Sequence, residues 1–176
     1  MVRYRRSQTL GASYFFTVNL HDRSQRYLTD HINHLRHAIS TVHKQHPFEI
    51  IAIVVLPEHL HTIFKLPEGD HHYPKRWQAI KSRFTRALVK EGAPLRKNLK
   101  GEYNLWQRRY WEHQIRDEEG MQRHIDYIHY NPIKHGHVSQ VKNWPHSSFH
   151  RYVQKEVLNE NWGGQVFIDD DINYGE

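Results

Sequence analysis

The chain of 176 residues contains no cysteine. This absence excludes disulfide bonds and zinc sites built on thiolate ligands. No apolar run approaches the roughly 20 residues that a membrane-spanning helix requires. The basic N-terminus is not followed by the apolar core of a signal peptide, so a cytoplasmic location is expected. Length and composition predict one domain over 1–164 and an acidic, poorly ordered tail over 165–176.

Acidic residues are also in deficit. The chain has 25 Lys and Arg against 19 Asp and Glu, a formal net charge of +6. Several of the acids fall in the tail, so the body of the protein is more basic than the whole. This balance favours a polyanionic partner, with nucleic acid the first candidate. The alternative is a basic protein without such a partner. If nucleic acid does bind, we expect the acidic tail to compete with it for the basic groove.

Hydrophobic periodicity predicts alternating strands and helices. Together they indicate an α+β fold, an antiparallel sheet with helices on one face and a last helix lying across the open face. The predicted order is a strand over 12–20, a helix over 25–46, strands over 48–56 and 59–66, a helix over 74–91, a strand over 105–115, and a helix that begins at Asp117 and is closed by Pro132. In the first helix His31, His34 and His37 lie on the polar face, and we assign them no role.

A pair of histidines stands on the predicted 59–66 strand. Side chains alternate faces along a strand, so His59 and His61 point the same way while Leu60 and Phe64 point into a core. Two imidazoles side by side can hold a divalent metal. The alternative is chance, because the chain contains 17 histidines.

A tyrosine on the last helix is the candidate nucleophile. Tyrosine attacks a phosphodiester when the charge that develops there is stabilised, for example by a divalent metal. Asn131 lies one helical turn after Tyr127 and shares its face, so it can offer a side-chain oxygen as third metal ligand. Tyr110 and Tyr130 are rival nucleophiles. We rank Tyr127 first because residues four apart touch in a helix, whereas in a strand they are about 13 Å apart.

Basic and aromatic side chains are interleaved in three segments, a composition typical of surfaces that bind single strands. The alternatives are a frayed terminus, a solvated helix face and core packing of a tryptophan. The candidate DNA contacts are Arg3, Tyr4, Arg5 and Arg6 in an N-terminal arm, Lys75, Arg76, Lys81, Arg83 and Arg86 on a helix, and Trp106, Arg108, Arg109 and Trp111 in an aromatic segment.

Two motifs resemble a known family. The sequence from Pro57 to His61 resembles the His-hydrophobe-His motif of HUH single-strand endonucleases. Residues 106–113 and 124–136 are similar to the REP-associated tyrosine transposases, which belong to the single-tyrosine transposase superfamily. The resemblance covers nearly the whole chain, and the longer motif is the more specific of the two.

The resemblance implies a ferredoxin-like (RRM-like) sheet and Mg²⁺ or Mn²⁺ at the site. It implies cleavage and rejoining of single-stranded DNA at repetitive extragenic palindromes (REPs), which are hairpins. It also implies a bacterial, nucleoid-associated protein and a covalent 5′-phosphotyrosine intermediate. His59 and His61 match the metal histidines, Tyr127 matches the nucleophile, and Asn131 takes the place that Gln holds in related transposases.

Two other functions remain open at this point. The first is a non-catalytic protein that binds single-stranded or hairpin nucleic acid on the same fold. The second, a structural metal site, fits poorly because such sites usually have four ligands, often cysteine. Relatives form dimers, but the resemblance favours a monomer.

Overall fold

The computed structural model describes residues 7–163 and 173–176. Its secondary structure alternates between strands and helices, in the order expected for an α+β fold. In chain order the elements are β1 (Ser13–Asn19), α1 (Tyr27–Asp30), α2 (Ile32–Gln45), β2 (Glu49–Val55), β3 (His59–Lys65), α3 (Tyr73–Lys90), β4 (Trp111–Ile115), α4 (Glu118–Lys134), a 3₁₀ turn (Val141–Asn143) and α5 (Phe149–Gln154).

The four strands form one antiparallel sheet in the order β2-β3-β1-β4. The central strands are β1 and β3, so the His-Leu-His sequence lies in the middle of the sheet, as predicted. Thr17 on β1 lies opposite His61 on β3 and opposite Trp111 on β4. These three residues therefore form a row across the sheet.

Both faces of the sheet are covered. Phe16 and Phe64 pack with α2 and α3 on one face, in the larger core. Phe15 and Ile63 pack with α4 on the other face, in a smaller core. The alternation of side chains along β1 and β3 separates the two cores. The predicted α+β architecture is confirmed, including the last helix that lies across the remaining face.

Three predicted boundaries are wrong. The first helix is broken at His31, whose φ of −117° and ψ of 37° are not helical. The strand predicted over 105–115 is regular only from Trp111, because the preceding residues make isolated hydrogen bonds to the end of β1 instead of a ladder. α4 continues to Lys134 because Pro132 removes only one N–H and leaves the following turn free to form.

The last four residues pack against the sheet. Tyr174 is only 6% exposed and belongs to the smaller core. The predicted disordered tail therefore does not describe residues 173–176, since burial of an aromatic ring holds them in place. Residues 165–172 lie outside the described part of the chain. Within the described part, no helix has both the length and the apolar character needed to cross a membrane.

Candidate active site

Four predicted site residues meet between β3 and α4. His59 and His61 are 0% exposed, and their ring centroids lie 4.8 Å apart. The Tyr127 ring lies 5.2 Å from that of His61 and is 1% exposed. Asn131, one helical turn further along α4, is fully buried. A strand of period two and a helix of period 3.6 thus bring the imidazoles, the phenol and the amide together.

The hydrogen bonds of the imidazoles fix which nitrogen faces the site. His59 Nδ1 lies 2.8 Å from Glu58 Oε1 and donates to this carboxylate. His61 Nδ1 lies 2.8 Å from Thr17 Oγ1. Thr17 gives its single proton to the carbonyl oxygen of Tyr174, so His61 Nδ1 carries the hydrogen. Both histidines therefore turn Nε2 toward the space beside Asn131.

The buried polar atoms that face this space are incompletely paired. Although burial alone would lower the pKa of His59, the carboxylates of Glu176 and Glu58 raise it above its usual value. His59 Nε2 and Asn131 Oδ1 are buried and have no hydrogen-bond partner among the described residues. Burial lowers the pKa of His61 to about 3, so that ring is neutral and its Nε2 is an acceptor. An unpaired buried acceptor costs about 1–3 kcal/mol. Two imidazole nitrogens and one amide oxygen are a donor set that fits a divalent cation.

The carboxylate of Glu176 lies at this convergence. Burial alone would raise its pKa, but hydrogen bonds from the site hold the pKa of Glu176 well below its usual range. Oε1 lies 2.9 Å from His61 Nε2, 2.9 Å from Asn131 Nδ2, 3.1 Å from His135 Nε2 and 3.7 Å from His59 Nε2, and Oε2 lies 2.6 Å from Lys134 Nζ.

Tyr127 is covered by Tyr174 and contacted by Lys134. The two tyrosine rings are stacked, 3.5 Å apart and 7° from parallel. Lys134 Nζ donates to the Tyr127 hydroxyl at 3.1 Å. Burial raises the pKa of Tyr127, so its phenol is neutral in this arrangement. The acidic tail was expected to compete with DNA for the basic groove. Its described end lies over the candidate nucleophile, and the competition with DNA stays a prediction.

The two rival tyrosines lie elsewhere. The Tyr110 ring packs 5.9 Å from Phe16 and 6.0 Å from Trp77, on the α3 face of the sheet. Tyr130 is half-buried on another side of α4, near Gly163. Of the three tyrosines, Tyr127 alone has a described ring contact with a histidine of the pair, edge to face with His61.

Several residues of the site were not predicted. Lys134 could have been found, because seven residues from Tyr127 is two helical turns and the same face. Glu58, next to His59 in the sequence, carried a weaker signal of the same local kind. Thr17, Tyr174 and Glu176 come from distant parts of the chain, and no spacing points to them.

A groove of about 1000 Å³ lies between α3 and the loop that precedes β4. Lys81 lines this groove. Its Nζ donates to the Gln107 carbonyl at 2.9 Å and lies 5.5 Å from the Trp106 ring centroid. A second groove of about 1060 Å³, at the β2 edge, contains none of the predicted DNA contacts. The predicted contacts that line the first groove are Lys75, Lys81, Arg86, Trp106 and Arg108.

The other predicted DNA contacts differ in position. Arg76 is 2% exposed, so its assignment as a phosphate contact is wrong. Its guanidinium binds Asp70 and two main-chain carbonyls within the protein. Arg83 bonds Gln45 Oε1 outside the groove, and Arg109 is exposed outside it. The arm residues Arg3, Tyr4, Arg5 and Arg6 lie outside the described residues.

The aromatic segment links the groove to the site. Trp106 lines the groove and bridges Leu20, just beyond the end of β1. Trp111 begins β4, opposite Thr17 and in the same row as His61, and packs in the smaller core. The groove and the site lie on opposite faces of the sheet, and this segment passes between them at the β4 edge.

Comparison with known proteins gives consistent matches. Residues 10–131 match the family model described as Transposase IS200 like. A candidate REP-associated tyrosine transposase from Haemophilus influenzae is 49% identical over 166 residues, covering 93% of this chain and 94% of that protein. The REP-associated tyrosine transposase of Escherichia coli K12 is 46% identical over 166 residues, covering 94% and 93%. A solved structure of a REP-associated tyrosine transposase bound to a REP hairpin has a TM-score of 0.87 and 45% identity, covering 100% of this chain and 98% of that chain.

Proposed function

Since the chain belongs to the IS200-like transposases, and among them to the REP-associated tyrosine transposases, we propose that it cleaves and rejoins single-stranded DNA at REP-type hairpins. We further propose that Tyr127 is the nucleophile and that the reaction depends on a divalent metal. The observation that supports this mechanism is the buried phenol beside three converging acceptors, His59 Nε2, His61 Nε2 and Asn131 Oδ1. The hairpin substrate is supported by the solved relative, which is bound to one.

Mg²⁺ or Mn²⁺ would be held by His59, His61 and Asn131. Glu58 and Thr17 hold the two imidazoles in the tautomer that a metal ligand needs. When bound, such a cation would supply Lewis-acid stabilisation of the negative charge on the phosphodiester. Two orphaned acceptors in a buried site are the feature of this protein that fits the ion.

The chain's own groups act on the phenol. The Tyr127 oxygen attacks the phosphorus as its proton passes to water, the bond from phosphorus to the 3′-oxygen breaks, and the leaving 3′-oxygen takes up a proton from water. The products are a 5′-phosphotyrosine and a free 3′-hydroxyl, and the reverse attack rejoins the strand without ATP. Lys134, at 3.1 Å, stabilises negative charge on the phenolic oxygen through a charge-assisted hydrogen bond. This support is needed because burial makes the phenol a weaker acid.

The groove beside α3 is the proposed hairpin site. Lys75, Lys81, Arg86 and Arg108 supply cations for phosphates, and Trp106 offers a half-buried ring for stacking. The single DNA strand at the foot of the hairpin would run along residues 106–111 of the protein. It would then pass around the β4 edge of the sheet to reach Tyr127. The arm residues Arg3, Tyr4, Arg5 and Arg6 remain proposed contacts, and Ser7, which follows them, lines the groove. Arg109, Arg83 and Trp111 remain weaker candidates because they lie outside it.

We also propose that the protein acts as a monomer. The outer edge of β2 is bonded to the segment before α5: Ser148 N donates to Ile53 O, and Val55 N donates to His146 O. Arg151 donates to the carbonyls of Ile50 and Ile51 further along the same edge. This edge therefore cannot add a strand from a second copy. Light scattering during gel filtration should give the mass of one chain, and a dimer would contradict the proposal.

The mechanism is tested with a labelled REP-type hairpin oligonucleotide and Mn²⁺. Wild-type protein should form a covalent adduct that survives denaturing electrophoresis. Tyr127→Phe should abolish the adduct without weakening hairpin binding. The matched control Tyr130→Phe should still form the adduct. An adduct in Tyr127→Phe would refute the assignment. Tight, salt-dependent binding with no adduct in any divalent metal would identify a non-catalytic binding protein instead.

A further inference from the structure

A second cluster of metal-ligating side chains lies among the helices, away from the candidate active site. His31 separates α1 from α2, and His34 lies in the first turn of α2. Glu91 follows the last residue of α3 and is some sixty positions away in the sequence. His31 Nδ1 lies 3.2 Å from Glu91 Oε2, and His34 Nε2 lies 2.6 Å from Glu91 Oε1. The fold thus brings a carboxylate between two imidazoles that the sequence alone left as an ordinary polar face.

We propose that His31, His34 and Glu91 form a second metal site, for Zn²⁺ or a similar transition-metal ion. One ligand atom from each residue lies within 4.8 Å of the other two. In a tetrahedral zinc site with bonds of about 2.0–2.1 Å, ligand atoms are about 3.3 Å apart. The observed contacts of 3.2 and 2.6 Å therefore need only small side-chain rotations to admit the ion. Two imidazoles and one carboxylate, with a water as fourth ligand, are the donor set of an open zinc site, so we expect an exchangeable ion here in place of the closed four-ligand kind.

The cluster is open enough for an ion to enter. The side chains of His31, His34 and Glu91 are 28%, 35% and 48% exposed. Two cationic side chains, Arg83 and Arg86, line a small cavity of about 180 Å³ that includes His34. They do not contact Glu91 in the described hydrogen bonds, because Arg83 bonds Gln45 and Arg86 bonds Ser82. The Glu91 carboxylate therefore remains directed at the two imidazoles.

An ion here would join the two helices that cover one face of the sheet. His31 occupies a break between helices, and no side chain caps α1 or α2 at its N-terminus. A metal ion bound by His31 and His34 at this break and by Glu91 at the end of α3 would restrain both α2 and α3. Because α3 also carries basic side chains of the groove, the proposed role of the exchangeable ion is to restrain α3 where it forms the DNA-binding surface.

The test counts bound ions in the full-length protein. After removal of metal with EDTA, Co²⁺ is titrated in as a spectroscopic substitute for Zn²⁺, and its visible absorption and bound equivalents are measured. His34→Ala should bind one equivalent less than wild type, and Glu91→Gln should behave the same way. His37→Ala is the matched control, because His37 is an exposed histidine on the same helix, and it should keep the full number. Ions at the candidate active site contribute equally to all four proteins and cancel.

A second measurement supports the count. Zn²⁺ should raise the melting temperature of wild type and of His37→Ala more than that of His34→Ala, and Mg²⁺ should produce no such difference. All substituted side chains are at the surface, and circular dichroism verifies that the variants fold. Equal numbers of bound Co²⁺ in His34→Ala and His37→Ala would overturn the proposal.

Discussion

Substituting Gly175 with alanine should release the last residues of the chain from the site. Gly175 has a φ of +78°, a conformation that residues with a Cβ rarely adopt. A Cβ at this position would lie 2.3 Å from the Cβ and Cγ of Trp111. Docking of Tyr174 and Glu176 over Tyr127 therefore depends on glycine between them. The undocked chain has no such requirement, so the substitution acts on the docked state alone.

The size of the effect follows from the backbone. A residue with a Cβ held in the left-handed region costs about 1–2 kcal/mol. The overlap with Trp111 adds to this cost, because both atoms belong to a side chain that is itself packed in the smaller core. One or two kcal/mol changes the ratio of undocked to docked chains by a factor of about 5–30. If DNA must displace the docked residues, adduct formation should accelerate by the same factor, up to the point where the site is fully open.

The assay is the initial rate of covalent adduct formation with a REP-type hairpin and Mn²⁺. Gly101→Ala is the matched control, because Gly101 has a φ of +77° and a Cβ added there would meet no neighbouring atom within 4 Å. It should carry the same backbone strain and leave the rate unchanged. A rate for Gly175→Ala equal to that of wild type would refute the reasoning. A slower rate would show that Glu176 assists the reaction, and Glu176→Gln should then be slow as well.

Two further predictions concern stability. Replacing the buried Arg76 with methionine should lower the free energy of unfolding by about 2–3 kcal/mol in a urea titration, because the partly exposed Asp70 carboxylate and two main-chain carbonyls lose their partner. The exposed neighbour Lys75→Met should change it by less than about 0.5 kcal/mol. Burial lowers the pKa of His129 to about 3, below the unfolded value near 6.5, so the folded state resists protonation and stability should fall as pH decreases from about 6.5 toward 3. His129→Gln should reduce this slope by about 1 kcal/mol per pH unit, whereas His37→Gln should leave it unchanged; equal slopes in the two variants would contradict the prediction.

The candidate catalytic residues could be predicted because their relations are local. His59 and His61 are two residues apart on a strand, so their side chains share a face. Tyr127 and Asn131 are four residues apart on a helix, so theirs do as well. The helix start was equally local: Asp117 accepts from Gly120 N at 2.6 Å, as a capping residue does. Each of these relations is set by residue spacing within one strand or one helix, so it can be predicted without knowing the contacts made by the rest of the chain.

The remaining features depend on contacts between distant residues. Arg76 has the sequence context of the other basic residues of α3, and only the packing of α3 beside Pro47 and Asp70 makes it a buried clamp. The segment before Trp111 has the aromatic density of a strand, but its backbone finds partners at the end of β1. Glu176 is 115 residues from His61, and no sequence pattern predicts their contact. Long-range pairing of this kind is set by the assembled fold and leaves no periodic trace.

The charges around Glu176 bear on the proposed replacement of this carboxylate by a metal ion and DNA. Its carboxylate lies between His59, His61 and Asn131 on one side and two basic groups, Lys134 and His135, on the other. A single anion can satisfy only the basic groups and the Asn131 amide, and it leaves His59 Nε2 unpaired. A divalent cation together with a phosphodiester would satisfy both sides at once, since the acceptors would bind the metal and the basic groups would face the phosphate. The docked carboxylate is therefore an incomplete match, and we expect metal and DNA together to displace it more effectively than either does alone.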